Sequence, residues 1–345
     1  MNDQAWRADS GLLASNASTS VVARGDVDLV PGLFSGTRLT PTIFHEPWWM
    51  EIASDGVYQE ATVLADGAVV ARLPYKIWKK ALGVTVIGMP MMTHVLGPAI
   101  DETGGGNPLR RQVKSIGITS QLLAQLPSCT HISFRLHGDI TDTLAFDAAG
   151  FTNGVDYTVE IAPNPNEVLW RQMRDKTRNA IRRAQENLTV TQGGSSGEFV
   201  TFYENNLTAR NKYRMDLCRM IIDNSIIRDA GRVLFAHDPH GDLKAALFTV
   251  WDAKREYYFM STRAADANSG AVSLLIWSAI QHASAKGLTF DMDGVHVVGN
   301  TLPNLHLVSG FGGTLKPRLK VKKSSPVAQV CYDVSKILTN DLRLQ

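Results

Sequence analysis

The feature that most restricts how this chain can fold is an ending that occurs twice. HISFRL at 131–136 reads as a strand and is followed by the short helical stretch TDTLAFDAAGF, with Gly150-Phe151, and then by strand DYTVEI. LTFDMD at 288–293 also reads as a strand and is followed by a short helix near 302–309, by Gly310-Phe311 and by a strand near 314–322. Glycine between a helix and a strand tolerates the left-handed conformation in which helices commonly stop. Two such endings in one chain imply a duplicated α/β unit.

Reading back from each ending gives a similar order of elements. In the first half, Pro47 of FHEPWW suits the first turn of a helix. The run YQEATVLADGAVVARLPYKIW is two β-rich segments about Asp66-Gly67, a hairpin signal. Strand VTVIGM, loop MPMMTHVLGP and an amphipathic helix at 107–126 lead into the ending. In the second half a long helix is expected over 166–187 and further helices over 196–229. Strands RVLFAHD and LKAALFTVW flank a turn at His240-Gly241-Asp242, followed by REYYFMST and the helix AVSLLIWSAIQHASAK. The fold class is therefore α/β with mixed sheets, in two tandem lobes. Residues 1–40 form a flexible arm with a short lead-in strand, 41–162 the first lobe, 163–325 the second and 326–345 a helical tail.

A length of 345 residues suits two domains, and 44% hydrophobic with 20% charged residues is ordinary for a globular chain. The net charge of +2 excludes no partner, so charge matters only where it clusters. The N-terminus lacks a secretory signal, and the longest apolar stretches fall short of the roughly 20 residues of a membrane span. Cys129, Cys218 and Cys331 are scattered, which suits a reducing cytoplasm and gives no metal-ligand spacing. A cytoplasmic protein is expected, with the inner membrane face as a second place of action.

Three runs carry a resemblance to a known family. WRQMRDKTRNAIRRAQENLTV resembles a helix of Trp and basic residues closed by A-x-x-x-L-x-V; SGAVSLLIWSAIQHASAKGLTFDMDG resembles a small-residue turn, Leu-Leu helix, strand and D-x-x-G; LVSGFGGTL resembles a closing G-F-G-G. Together they resemble the GNAT superfamily, and within it the FemAB-like double-GNAT branch, over about 41–322. That branch includes peptidoglycan interpeptide-bridge aminoacyltransferases. The resemblance implies two GNAT-like lobes with a substrate groove between them, chemistry in the C-terminal lobe, acyl-CoA as donor and no metal. The chain departs from the family pattern at three places. Asp266, Ser269 and Ala271 occupy the positions of the acyl-CoA turn R-x-x-G-x-G/A. Leu307-Val308 replace a Phe-Lys pair, and His306 stands where a tyrosine is common.

Amide formation needs a neutral amine, a polarised carbonyl and a proton for the leaving group. Asp291 and Asp293, two apart on a strand, share one face and could take the amine proton; the alternative is a turn at Asp293-Gly294 with Asp291 as a cap. His306 could protonate the leaving group, and His296 lies nearby in a loop. On the expected 166–187 helix, Arg171, Arg174, Arg178 and Arg182 fill an arc beside the apolar one, where Arg174, Arg178 and Arg182 could grip phosphate. A solvated charged face is the alternative. Ser269 and Gly270 open a helix and could offer N–H groups to an anion, or simply cap it. Tyr213 and His94 are further substrate-binding candidates, His94 because its loop could border the groove. Lys316, Arg318, Lys320 and Lys322 alternate along one strand, either as an anion-binding stripe or as the charged guard of an edge strand, the second being preferred. His45, Trp48 and Trp49 read as core.

The function this supports is N-acyl transfer from acyl-CoA to an amine on a phosphate-bearing cell-envelope precursor, such as an amino sugar carried on a nucleotide or lipid. Aminoacyl-tRNA-dependent ligation to a peptidoglycan stem peptide is the first alternative. A non-catalytic scaffold in polysaccharide assembly is the second.

Overall fold

The computed structural model describes residues 19–21, 37–80, 83–101, 107–207, 214–268, 270–295, 302 and 304–326. After β1 (Thr19–Val21), a 3-10 turn at Ile43–His45 runs into α1 (Pro47–Ala53), with Pro47 at the first helical position, where its missing N–H costs nothing. β2 (Gln59–Ala65) and β3 (Ala68–Lys79) close on Asp66-Gly67. Both turn residues have positive φ, 52° and 80°, the geometry that matches strand twist in a two-residue hairpin. β4 (Thr85–Gly88), β5 (Ala99–Ile100), α2 (Pro108–Ala124), β6 (His131–Arg135), α3 (Leu144–Ala148) and β7 (Thr152–Ile161) complete the first lobe.

The second lobe adds α4 (Asn166–Gln172), α5 (Asp175–Gln185), β8 (Thr189–Gln192), α6 (Ser196–Asn205) and α7 (Met215–Ile227) before its own repeat. That repeat is β9 (Gly231–His237), β10 (Leu243–Trp251), β11 (Arg255–Arg263), α8 (Ala271–Ala285), β12 (Thr289–Asp291), α9 (Leu305–Val308) with a 3-10 turn at Ser309–Phe311, and β13 (Thr314–Ser324). Thus β2-β3-β4-α2-β6-α3-β7 corresponds to β9-β10-β11-α8-β12-α9-β13, the duplication expected from the endings.

The strands form one sheet in the order β1-β2-β3-β4-β6-β13-β7-β12-β11-β10-β9-β8, with β5 on β3. At its centre the lobes exchange their last strands: β13 lies against β6, β7 lies against β12, and β7 and β13 pair antiparallel with each other. β13 is therefore central, which corrects the edge-strand expectation. Arg318 is buried within it rather than displayed with the lysines. The exchange fuses the lobes. One apolar core runs from Phe44 and Trp49 of the first to Phe248 and Phe259 of the second, and another lies under α8.

The expected 166–187 helix is two helices, with Met173 and Arg174 extended between them (ψ 151° and 145°). The Arg174 N–H donates to the Gly310 carbonyl (3.0 Å) instead of to its own helix, and Asp175 in the first turn of α5 favours a new helix start. Gly310 abuts Thr177, and Gly312 packs on Gln172, whose carbonyl oxygen would lie 3.0 Å from an added Cβ. The basic-helix motif and the G-F-G-G motif are thus two sides of one contact.

Candidate active site

β11 and β12 run parallel and stay paired only as far as Tyr257 and Asp291. Beyond that point Met292 and Val295 donate to Val159 and Tyr157 of β7 (3.0 and 2.6 Å), while β11 stays with β10. Phe248 pairs with Met260 and Thr249 with Tyr258, so Phe259 is the extra residue of a bulge. The parting strands open a gap at the carboxyl end of the parallel pair, where α/β sheets commonly bind ligands. It holds two cavities of about 400 and 430 Å³ that share His94, Arg135 and Asp293.

His94 enters this gap from the first lobe. Its ring stacks on Phe259 (centroids 4.4 Å apart, planes at 11°), the side chain that the bulge re-aims. Nδ1 lies 3.0 Å from Oδ1 of Asp293, outside hydrogen-bonding geometry, and is buried without a hydrogen-bond partner. Asp293 has φ 54° and Gly294 φ 96°, a bend that Asp tolerates better than most residues. The bend is pinned three times: Asp293 N–H donates to Asp291 Oδ1 (3.0 Å), Gly294 N–H to Thr158 Oγ1 (3.1 Å), and Asn304 Nδ2 to the Gly294 carbonyl (2.8 Å). Asp293-Gly294 is therefore a turn, and that turn holds the Asp293 carboxylate in the cavity.

Asp291 also lines the gap but is buried and saturated. It accepts hydrogen bonds from Thr158, from Arg318 (2.8 Å) and from the Asp293 N–H. Arg318 also pairs with Glu160; Glu160 accepts from Arg255 (3.1 Å), which faces Asp139 (3.6 Å), and Asp139 pairs with Lys254. This row of alternating charge underlies the cavity, and loss of one member would leave a buried partner uncompensated. Burial alone would raise the Glu160 carboxyl, but Arg318 and Arg255 outweigh it and hold the group below the usual range. Burial, with the Asp252 carboxylate beside it, pushes the Tyr257 phenol well above its ordinary value, so it stays protonated and donates to Asp252 (2.8 Å). Arg135 donates to Asp156 (3.1 Å) and to the His94 carbonyl (3.4 Å), and Lys320 lies 3.5 Å from Asp156. The cavity is thus lined by both signs of charge, Arg135 and Lys320 beside Asp156 and Arg318 beside Asp291, with Asp293 outside these pairs, and suits a substrate that is itself polar and charged.

Asp291, Asp293 and His94 are brought together; the other expected residues are not. His306 is exposed and outside both cavity linings, although Leu307 and Val308 beside it line one. Arg174, Arg178 and Arg182 line neither cavity. Arg178 pairs with Asp175 and donates to the Arg171 carbonyl (3.0 Å), capping α4, while Arg182 lies over the Trp170 ring at 5.4 Å. The break at Met173 destroys the continuous arc that a single helix would have given. Tyr213, Ser269 and His296 lie outside the described residues. Arg135, Tyr257, Tyr258 and Phe259 were missed, and a bulge or a contact between distant loops leaves no periodic signal to find them by.

At the start of α8 backbone N–H groups that could meet an anion are already engaged. The Gly270 N–H already donates to Asn268 Oδ1 (2.8 Å) and the Ala271 N–H to the Asn268 carbonyl (3.0 Å). Gly270 also packs so tightly on the Ala180 carbonyl of α5 that a Cβ would collide with it. Asp266, at the turn, pairs with Lys244 (2.9 Å). Among the described residues no group of three or more His, Cys, Asp or Glu could hold a metal.

Residues 171–299 match the acetyltransferase (GNAT) domain family. Over that stretch the chain is similar to GNAT domains. No curated protein matches its sequence. In fold, the chain is similar to FemX (TM-score 0.59, 12% identity, covering 84% of this chain and 93% of that one). It is also similar to the C-terminal domain of a proposed lysylphosphatidylglycerol synthetase from Agrobacterium fabrum (0.53, 14%, 87% and 95%). A third likeness is to L-PGS from Bacillus licheniformis (0.51, 11%, 82% and 88%). These likenesses span both lobes and are likenesses of fold.

Proposed function

We propose that this protein moves an aminoacyl group from an ester donor onto an amine held in the gap between β11 and β12. The observation that carries the reading is the meeting of His94 and Asp293, one from each lobe, beside an otherwise satisfied charge row. Asp293 takes a proton from the acceptor ammonium. The freed amine attacks the donor carbonyl; the C–N bond forms, the C–O bond breaks, and the second proton of the nitrogen passes through His94 to the departing oxygen. A positioned acid or base of this kind contributes about 10²–10⁴-fold in rate. Arg135 and Lys320 hold the acceptor's anionic group, the role first expected of Arg174, Arg178 and Arg182. Asp291 fixes the bend that aims Asp293.

The internally bonded start of α8 favours aminoacyl-tRNA over a CoA thioester as donor, in keeping with the likeness in fold to FemX and L-PGS. The acceptor class is an amine on a phosphate-bearing cell-envelope precursor. The test is to incubate the purified protein with a nucleotide-linked muropeptide or amino sugar and either charged tRNA or acetyl-CoA. Acceptor-dependent deacylation of tRNA, with the thioester untouched, is expected. Consumption of acetyl-CoA alone would overturn the donor assignment, and consumption of neither would overturn the reading.

A further inference from the structure

The first two turns of α2 stand off the protein. Every residue from 108 to 114 is exposed. Leu109, at 66%, is the most exposed large hydrophobic among the described residues, and Val113, one turn on, reaches 61%. Four-residue spacing puts the two on one face. Arg110 and Lys114 repeat that spacing on the adjoining face, and α2 contains no acidic residue. Neither Arg110 nor Lys114 has an ion-pair partner among the described residues. The next face, with Arg111, Gln112 and Ser115, walls a cavity of about 550 Å³.

Exposed aliphatic side chains bordered by unpaired cations form an interfacial pattern: the cations approach lipid phosphate while the aliphatic groups enter the acyl boundary. An RNA backbone would attract Arg110 and Lys114 equally but would gain nothing from Leu109 and Val113. No helix among the described residues is long and apolar enough to cross a membrane, so the contact argued here is one made at a surface. We infer that the N-terminal half of α2 docks this protein on anionic phospholipid bilayers. The inference is independent of the donor and of the chemistry in the gap.

The test is co-sedimentation of the full chain with vesicles of phosphatidylglycerol and phosphatidylcholine, against phosphatidylcholine alone. Binding only to the anionic vesicles is expected, weakened at least tenfold by L109D/V113D and by R110E/K114E. I226D/I227D, an equal insult to two exposed residues of α7, should bind as the parent does. Unchanged melting temperatures would show that the substitutions leave the fold intact. Absence of binding, or equal binding by L109D/V113D, overturns the inference. So does a loss by R110E/K114E of tRNA binding instead of vesicle binding, which would assign the patch to RNA.

Discussion

In the first lobe the chain leaves β4, loops out through residues 89–94 and returns, so that Leu96 pairs in parallel with Leu136 just past β6. The Leu96 N–H donates to the Arg135 carbonyl and the His137 N–H to that of Leu96, both at 2.8 Å. In the second lobe no described residue returns between β11 and β12, and that gap receives His94 from the loop of the first. The helical faces differ as well. α2 and α3 leave a cavity of about 550 Å³ beside them, whereas α5 packs against Gly270 before α8 and Gly310 after α9. One fold has been duplicated with two outcomes: the first lobe closes its own strand gap, and the second, among the described residues, leaves a gap that His94 of the first lobe lines.

The largest effect expected from this difference is catalytic. Asp293→Asn should lower turnover by about 10²–10⁴-fold at an unchanged melting temperature, and an equal loss on replacing Asp142, which lines the first lobe's cavity, would erase the distinction between the lobes. Arg318→Ala comes next. It strips the buried Asp291 and Glu160 of their shared cation and should cost about 3–5 kcal/mol in denaturant unfolding.

Acid should act on the sealed lobe first. Burial lowers the pKa of His45 well below the ordinary 6.5 and lowers that of His137 as well, and the two rings sit 5.2 Å apart. The unfolded chain therefore binds more protons there than the folded one. Their contribution to stability is complete above about pH 6.5 and is lost as pH falls below it, by at most about 1.4 kcal/mol per proton per pH unit. A melting temperature that did not fall between pH 6.5 and 5 would contradict this. The helices give the smallest contrast. Gly270→Ala, forced against α5, should destabilise by about 1–3 kcal/mol. Gly117→Ala on the open face of α2, where a Cβ meets nothing within 4 Å, should stabilise by about 0.5–1 kcal/mol.

The duplication was legible because Gly150-Phe151 and Gly310-Phe311 mark local events, a helix stopping before a strand. The hairpin at Asp66-Gly67 was legible for the same reason. The strand exchange was not: alternation along β13 records which residues share a face, but not which strands lie beside it, so Arg318 read as surface charge. Asp291 and Asp293 were readable as a pair at a strand end, yet the division between a saturated organiser and a group free to act depends on Thr158, Arg318 and the Asp293 backbone. His94 stood out only as a polar residue in an apolar loop. Its neighbour Phe259 is set by a bulge, and its partner Asp293 belongs to the other lobe.

The most direct test of the shared site is a double-mutant cycle on kcat/KM with His94→Gln, Asp293→Asn and the two combined, using whichever donor the protein consumes. If the lobes build one proton-handling unit, the double variant will be about as slow as the slower single one. Losses that multiply, or a His94→Gln variant as fast as the parent, would show that the first lobe contributes nothing to the chemistry.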